Sequence, residues 1–381
     1  MGKEFVTRLK NNAIFQMSLS SKELFHSNFL AWLAKNNITK DVFATVLKNS
    51  FGMTEWNPDE MNVKREYKHY DFCICRKSDE HVLLILENKF KSVAYKDQLS
   101  RYYKGTEDSR HVLLTLAHNF LEKEEIAKSG WKIVTYQDYT KALRSAAFHM
   151  EECFDKQVVM HYCDFVETFD HAINEKLLEA ENYEKTKWSV LNNNFQDEDL
   201  RCNDIWQKLF MHQCAQKLSK LVKNAFPNLK VKHSDPDTWT KEQEKDIFVR
   251  VAYYHRQALV EIRHLLPTGV KFCVQQQGDS SLSVGIAIKN SDIKDGIDKQ
   301  TKKADNKGKW NNALKKRIEN YGLKPIMGIA EGQSYYSFQA AGKEGYFYVR
   351  KEHINDTIEG TLNQMVELTE RAIELSSKNK K

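Results

Sequence analysis

Tyr70-Asp71-Phe72-Cys73-Ile74-Cys75 and Val82-Leu83-Leu84-Ile85-Leu86-Glu87-Asn88-Lys89 are the two segments on which the fold turns. The first is apolar apart from Asp71 and has the length of a β-strand. The second is an almost wholly apolar strand that ends abruptly in Glu87-Asn88-Lys89. Residues Lys77 to His81 between them are polar and turn-like, which predicts a hairpin. If it folds about Asp79, Asp71 and Glu87 become cross-strand partners, with Cβ atoms about 4.5–5.5 Å apart. Two carboxylates that close repel unless a cation or a proton lies between them. Side chains alternate across a strand, so Lys89 shares a face with Glu87. Two acids and an ammonium gathered at the end of a buried strand suit a divalent metal with a nucleophilic water beside it. The structural alternative is an ordinary ion pair. The cost of burying two acids beside so apolar a strand weighs against it.

Working outward, Ala94-Tyr95-Lys96-Asp97-Gln98-Leu99-Ser100-Arg101-Tyr102 sets Gln98 and Tyr102 on one face of a predicted helix. Upstream, Ser20-Ser21-Lys22-Glu23 has capping-box spacing, and Phe25, Phe29, Trp32 and Leu33 supply a helical apolar stripe within residues 1–36. Glu66 would face away from Asp71 if its strand ran unbroken. His26 and His69 lie near these motifs, where a lone histidine is more often structural than catalytic. A helix is expected over Asp41 to Phe51, strands over Arg110–Leu116 and Trp131–Tyr136, and a long helical stretch over 138–185.

The ordered set of helix, Asp71, Glu87-Asn88-Lys89, and Gln98 with Tyr102 resembles the PD-(D/E)XK nuclease superfamily over roughly the first 150 residues, the span of one domain. Asp71 stands at the first position of that signature and Glu87-Asn88-Lys89 at the second. Gln98 and Tyr102 match the Gln-x-x-x-Tyr of its following helix, and residues 23–33 look like the opening helix of uncharacterised bacterial members. Tyr70 stands where the family name carries proline. The resemblance implies an α/β fold, a restriction-endonuclease-like αβββαβ core with added helices. It implies a Mg²⁺-dependent (or Mn²⁺-dependent) endonuclease that hydrolyses DNA, with RNA left open as a substrate. Asp71, Glu87 and the Asn88 carbonyl would hold the metal, and Lys89 would position the attacking water. Gln98 would orient that water or a phosphate oxygen, Tyr102 would bond the nucleic-acid backbone, and Glu23 would reach the metal directly or through water. Defence against foreign DNA is a further analogy. The competing reading is a catalytically inactive nuclease-fold module that binds nucleic acid or a protein partner.

At 381 residues the chain favours two domains, expected at 1–190 and 200–381, with Asn192-Asn193-Asn194 and Asp197-Glu198-Asp199 marking the linker. The second half reads as a helix over 203–226 closed by Pro227, then period-two segments at 229–233, 246–254, 257–265, 270–277 and 282–289. A basic helix over 305–321, aromatic-rich strands at 335–340 and 345–349, and a helix over 355–377 complete an α+β domain with a mainly antiparallel sheet. This domain carries no catalytic motif and is a candidate for substrate or partner binding. The net charge is +6, and eleven basic residues face five acids between Lys289 and Lys324. Lys302, Lys303, Lys315, Lys316 and Arg317 are therefore candidate phosphate contacts, or else a solvated helix face. No apolar run approaches the roughly 20 residues of a membrane span, and the start lacks a secretory pattern, so a cytoplasmic protein is expected. Seven cysteines without C-x-x-C spacing read as reduced, mostly buried thiols. A homodimer or a defence-system partner stays open.

Overall fold

Strand-length runs joined by short polar turns can pair only antiparallel, whereas a parallel neighbour needs a crossover of about a dozen residues or more. Both situations occur here in order. The computed structural model describes residues 3–12, 14–15, 23–94, 96–117, 123–193, 203–233, 240–254, 257–267, 270–279, 282–289, 326, 338–341, 344–351 and 356–378. They form two compact units, Met1–Leu177 with Asn194–Leu209, and Leu178–Asn193 with Phe210–Lys381. This partition interleaves residues around the boundary expected at 190–200.

The first unit opens with α1 (Lys3–Asn11), α2 (Glu23–Lys35) and α3 (Lys40–Val46), the last running into a π-helical turn that ends at Gly52. β1 (Met61–Tyr67), β2 (Tyr70–Arg76) and β3 (Val82–Lys89) then form an antiparallel meander. Crossovers through α4 (Lys96–Tyr103) and α5 (Lys123–Lys128) bring β4 (Arg110–Thr115) and β5 (Trp131–Thr135) parallel to β3. The sheet order is β1-β2-β3-β4-β5, and with α2 it makes the expected αβββαβ core.

The helical stretch expected over 138–185 is two helices, α6 (Tyr136–Phe148) and α7 (Phe154–Asn174), packed against each other. His149 closes the first, and Cys153 starts the second from an extended backbone, its sulfur accepting from the Lys156 N–H. Apolar spacing carries across the break, so periodicity alone did not show it. The opening stretch is likewise divided into α1 and α2, and Ser20–Lys22 of the proposed capping box lie outside the described residues.

Alternation in β3 sends Ile85 and Leu84 to opposite faces. Cys73, Cys75, Ile85, Leu113 and Trp131 pack on Leu99 of α4 and Ile126 of α5. The Trp131 indole donates to the Leu99 carbonyl at 3.0 Å, which fastens α4 over the sheet. On the other face an aromatic cluster links α2, α6 and α7. His26 stacks on Phe90 at 3.9 Å, and Phe29 on Tyr162 at 3.7 Å. His26 is fully buried and bonded to Tyr162 Oη, and burial followed by the nearby Lys91 charge lowers its pKa well below the ordinary value. It is a core histidine. Cys73 and Cys75 are buried free thiols with sulfurs 3.8 Å apart.

The second unit holds a sheet ordered β11-β12-β10-β9-β8-β7-β6. Its strands are β6 (Lys230–Lys232), β7 (Asp246–Tyr254), β8 (Gln257–Leu265), β9 (Lys271–Gln277), β10 (Leu282–Lys289), β11 (Phe338–Ala341) and β12 (Glu344–Lys351). All neighbours are antiparallel except β6 with β7. Two further helices are α8 (Asn203–Ala225), whose residues from Phe210 on belong here, and α9 (Ile358–Lys378), which packs on β8 and β9. The expected helix over 305–321, with Lys302, Lys303, Lys315, Lys316 and Arg317, lies outside the described residues. No helix among the described residues is long and apolar enough to cross a membrane.

β8 is buried on both faces, yet it carries Glu261 and Arg263. Glu261 Oε2 lies 2.8 Å from both Arg250 Nε, across the β7 pair, and Arg263 Nε. Burial alone would raise the Glu261 carboxyl, and the Arg263 and Arg250 guanidiniums more than reverse that, so its pKa is lowered. A depressed folded-state pKa contributes stability above the unfolded value and loses it as pH falls through the folded one. Glu261→Gln, which leaves two guanidiniums without their carboxylate, should cost about 3 kcal/mol and lower the melting temperature by about 6–12 °C at neutral pH. Thermal denaturation should also show the gap between variant and wild type closing on acidification, and equal melting points at neutral pH would refute the triad's role.

Candidate functional site

Asp71 and Glu87 come together because of strand register. β2 and β3 pair Phe72 with Leu86, Cys73 with Ile85 and Ile74 with Leu84, and the next step of that ladder sets Asp71 level with Glu87. A shift between Ile74 and Cys75 falls at the turn end, away from the site. The ladder stops at Phe72, and the Asn88 backbone N–H donates to Asp71 Oδ2 at 2.8 Å instead of to a strand carbonyl. Within a strand, the N–H and C=O of one residue point to the same side, so the Asn88 carbonyl is also directed to the Asp71 edge.

Glu87 is 2 % exposed at the end of the apolar strand. Lys89 Nζ lies 2.5 Å from Glu87 Oε1, on the same face. Gln98, projecting from α4, donates to Glu87 Oε1 at 2.9 Å and to Tyr102 Oη at 3.3 Å. Tyr102 in turn meets Tyr70 edge to face, ring centroids 5.7 Å apart. Asp71, Glu87, Lys89, Gln98 and Tyr102 thus form one connected group across β2, β3 and α4.

Asn88 has a divided role. Its side chain points to the opposite face, where it is fully buried, accepting from Tyr136 Oη at 2.5 Å and donating to Ser27 Oγ at 3.4 Å. Only its main chain faces the carboxylates. Ser27 and Tyr136 were not singled out from the sequence. Their one signal is that a polar Asn88 on a wholly buried strand requires partners from the helices behind it.

Glu23 is the first residue of α2, and its side chain lies outside the described atoms. Glu66 departs from expectation. The strand does not run unbroken but turns at Lys68-His69, and the pairs Arg65↔Phe72 and Tyr67↔Tyr70 leave Glu66 level with Asp71 across the hairpin. It is exposed, with φ at 49°.

The donor chemistry fits a hard divalent cation. Two carboxylates and a strand carbonyl offer oxygen only, as Mg²⁺ prefers, with water completing its shell. Among the described residues no cluster of three or more His, Cys, Asp or Glu side chains is arranged to hold a metal.

Comparison with known proteins agrees with this fold. A family model described as the PD-(D/E)XK nuclease superfamily matches residues 12–164. No curated protein matches the chain. Nucleases of this superfamily typically use divalent metals, and a nucleic-acid substrate follows from that chemistry. The segment 12–164, which contains the αβββαβ core, matches the PD-(D/E)XK nuclease superfamily.

Proposed function

We propose that this chain is a Mg²⁺-dependent endonuclease that hydrolyses DNA phosphodiester bonds. The observation that carries the reading is the convergence of Asp71, Glu87 and Lys89 on one face, with Gln98 bonded to Glu87. A buried carboxylate needs a compensating cation. Here the Lys89 ammonium, on a flexible stem, lies against the Glu87 carboxylate.

Asp71, Glu87 and the Asn88 carbonyl hold the ion. When bound, Mg²⁺ or Mn²⁺ lowers the pKa of a coordinated water and offsets charge on the scissile phosphate. Lys89 positions that water and faces the charge that develops as the bond to the leaving oxygen lengthens. Gln98 fixes the Glu87 carboxylate, and Tyr102 contacts the backbone of the bound strand. In-line attack leaves a 5′-phosphate and a 3′-hydroxyl. Glu23 serves as an auxiliary acid at the metal. Lys302, Lys303, Lys315, Lys316 and Arg317 dock the duplex, and the second unit acts as the substrate or partner-binding part. Defence against foreign DNA is the biological role this activity suits.

Metal binding is testable without cleavage. At concentrations about 100-fold above the dissociation constant, Mg²⁺ or Mn²⁺ should stabilise wild type by about 2.7 kcal/mol and leave Asp71→Ala unmoved in a thermal-shift assay. No shift in either protein would favour an inactive binding module. On plasmid and single-stranded DNA with Mg²⁺, Mn²⁺ or EDTA, Lys89→Ala should cut at least about 100-fold more slowly while keeping its fold and its metal-induced shift. An unchanged rate removes Lys89 from the chemistry. Gln98→Ala frees Glu87 from one bond and should cost about 10-fold in kcat with little change in melting temperature.

A further inference from the structure

The tip of the β1–β2 hairpin is built at a conformational cost that its fold does not require. Tyr67 pairs with Tyr70, which leaves Lys68 and His69 as the two central residues of the turn. Their φ angles are 51° and 76°, and Glu66 just before them has 49°. A two-residue turn with both central φ values positive is type I′, for which Asn-Gly, Asp-Gly or Gly-Gly is preferred. A lysine and a histidine both carry a Cβ that crowds the backbone in this region. Left-handed, non-glycine residues gather where surrounding structure holds them for function. Three of the four residues from Glu66 to His69 are of this kind, and the strand that follows opens with Tyr70 and Asp71.

The unfavourable turn presents two exposed side chains, an ammonium and an imidazole, at the edge of the carboxylate site. Arg65 beside them is exposed as well. Lys64 and Lys68 place their ammonium groups 4.3 and 5.2 Å from the Tyr67 ring centroid. Behind the tip, Tyr70 is buried in the core and packs edge to face on Tyr102, which leads to Gln98. Lys64 pairs with Glu80, and Arg65, Lys68 and His69 are the exposed basic side chains of residues 64–69, beside one acid of that stretch, Glu66. Cations interleaved with aromatic rings are the chemistry that holds a sugar–phosphate backbone and stacks its bases.

We infer that the Lys68-His69 tip is a nucleic-acid grip: it holds the phosphate backbone of the DNA strand next to the bond to be cut. The assignment rests on the nuclease reading of the Asp71 site and adds to it the element that seats the substrate. It also separates turn stability from binding, because Asn and Gly, which suit the turn best, carry no charge to offer a phosphate.

The test uses the full-length chain and labelled duplex and single-stranded DNA in EDTA, read by fluorescence anisotropy over a salt series. A Lys68→Asn, His69→Gly double variant installs the preferred turn. It should melt higher than wild type, bind DNA about tenfold more weakly, and show a shallower salt dependence by about one counterion. Lys68→Gln keeps the strained turn and removes the charge, so it should lose affinity with no rise in melting temperature. It decides the matter if the double variant fails to fold. A double variant that melts higher while binding and salt slope match wild type overturns the grip, as does a wild type that binds neither DNA. A wild type that binds DNA through the tip yet cuts none with Mg²⁺ or Mn²⁺ overturns the nuclease reading and leaves the grip standing.

Discussion

One unpaired position in a strand ladder organises the site. Past Phe72 and Leu86 the β2–β3 hydrogen bonding stops, and the next N–H on that edge, from Asn88, must still find an acceptor. Asp71 supplies it with its own carboxylate. A side chain standing in for a main-chain carbonyl is held to backbone precision. Glu87, one residue earlier on β3, is carried to the same place by register alone. The spacing of the two acids is thus a property of the sheet rather than of flexible side chains, which is the preorganisation a metal site requires.

Alternation along β3 then divides Glu87-Asn88-Lys89 between two environments. Glu87 and Lys89 face α4, where Gln98 meets them, and Asn88 faces the aromatic layer, between Ser27 and Tyr136. The strand end is clamped from behind by neutral hydrogen bonds while its charged residues stay on the working face. Gripping the Asn88 side chain on the opposite face fixes the direction of its backbone carbonyl.

Much of this was legible before any coordinates. The hairpin symmetry about Asp79 correctly anticipated the Phe72↔Leu86 register, and strands β7, β8 and β10 keep the bounds their period-two pattern indicated. Such features are encoded locally, by alternation and by turn residues. What the sequence concealed depends on backbone angles or distant partners. The break between α6 and α7 preserves helical spacing, so only the extended conformation of Cys153 reveals it. Glu66 stands level with Asp71 because of a turn whose residues are poor turn formers, which is why an unbroken strand looked reasonable. Ser27 and Tyr136 are far from Asn88 in the chain, and no spacing rule links them.

Two of the buried carboxylates among the described residues, Glu261 and Glu87, differ in the cations that compensate them. Glu261 lies between Arg250 and Arg263, planar cations that do not deprotonate and whose forks are nearly rigid. Its charge is overmatched, two strands are stitched by it, and nothing there invites exchange. The partners of Glu87 include an ammonium on a four-carbon stem and a neutral amide. Removing either partner of such a pair is costly in isolation, but replacing the ammonium by a divalent cation keeps the carboxylate compensated throughout. A lysine rather than an arginine at position 89 meets Glu87 with a compact, rotatable ammonium instead of a rigid planar fork.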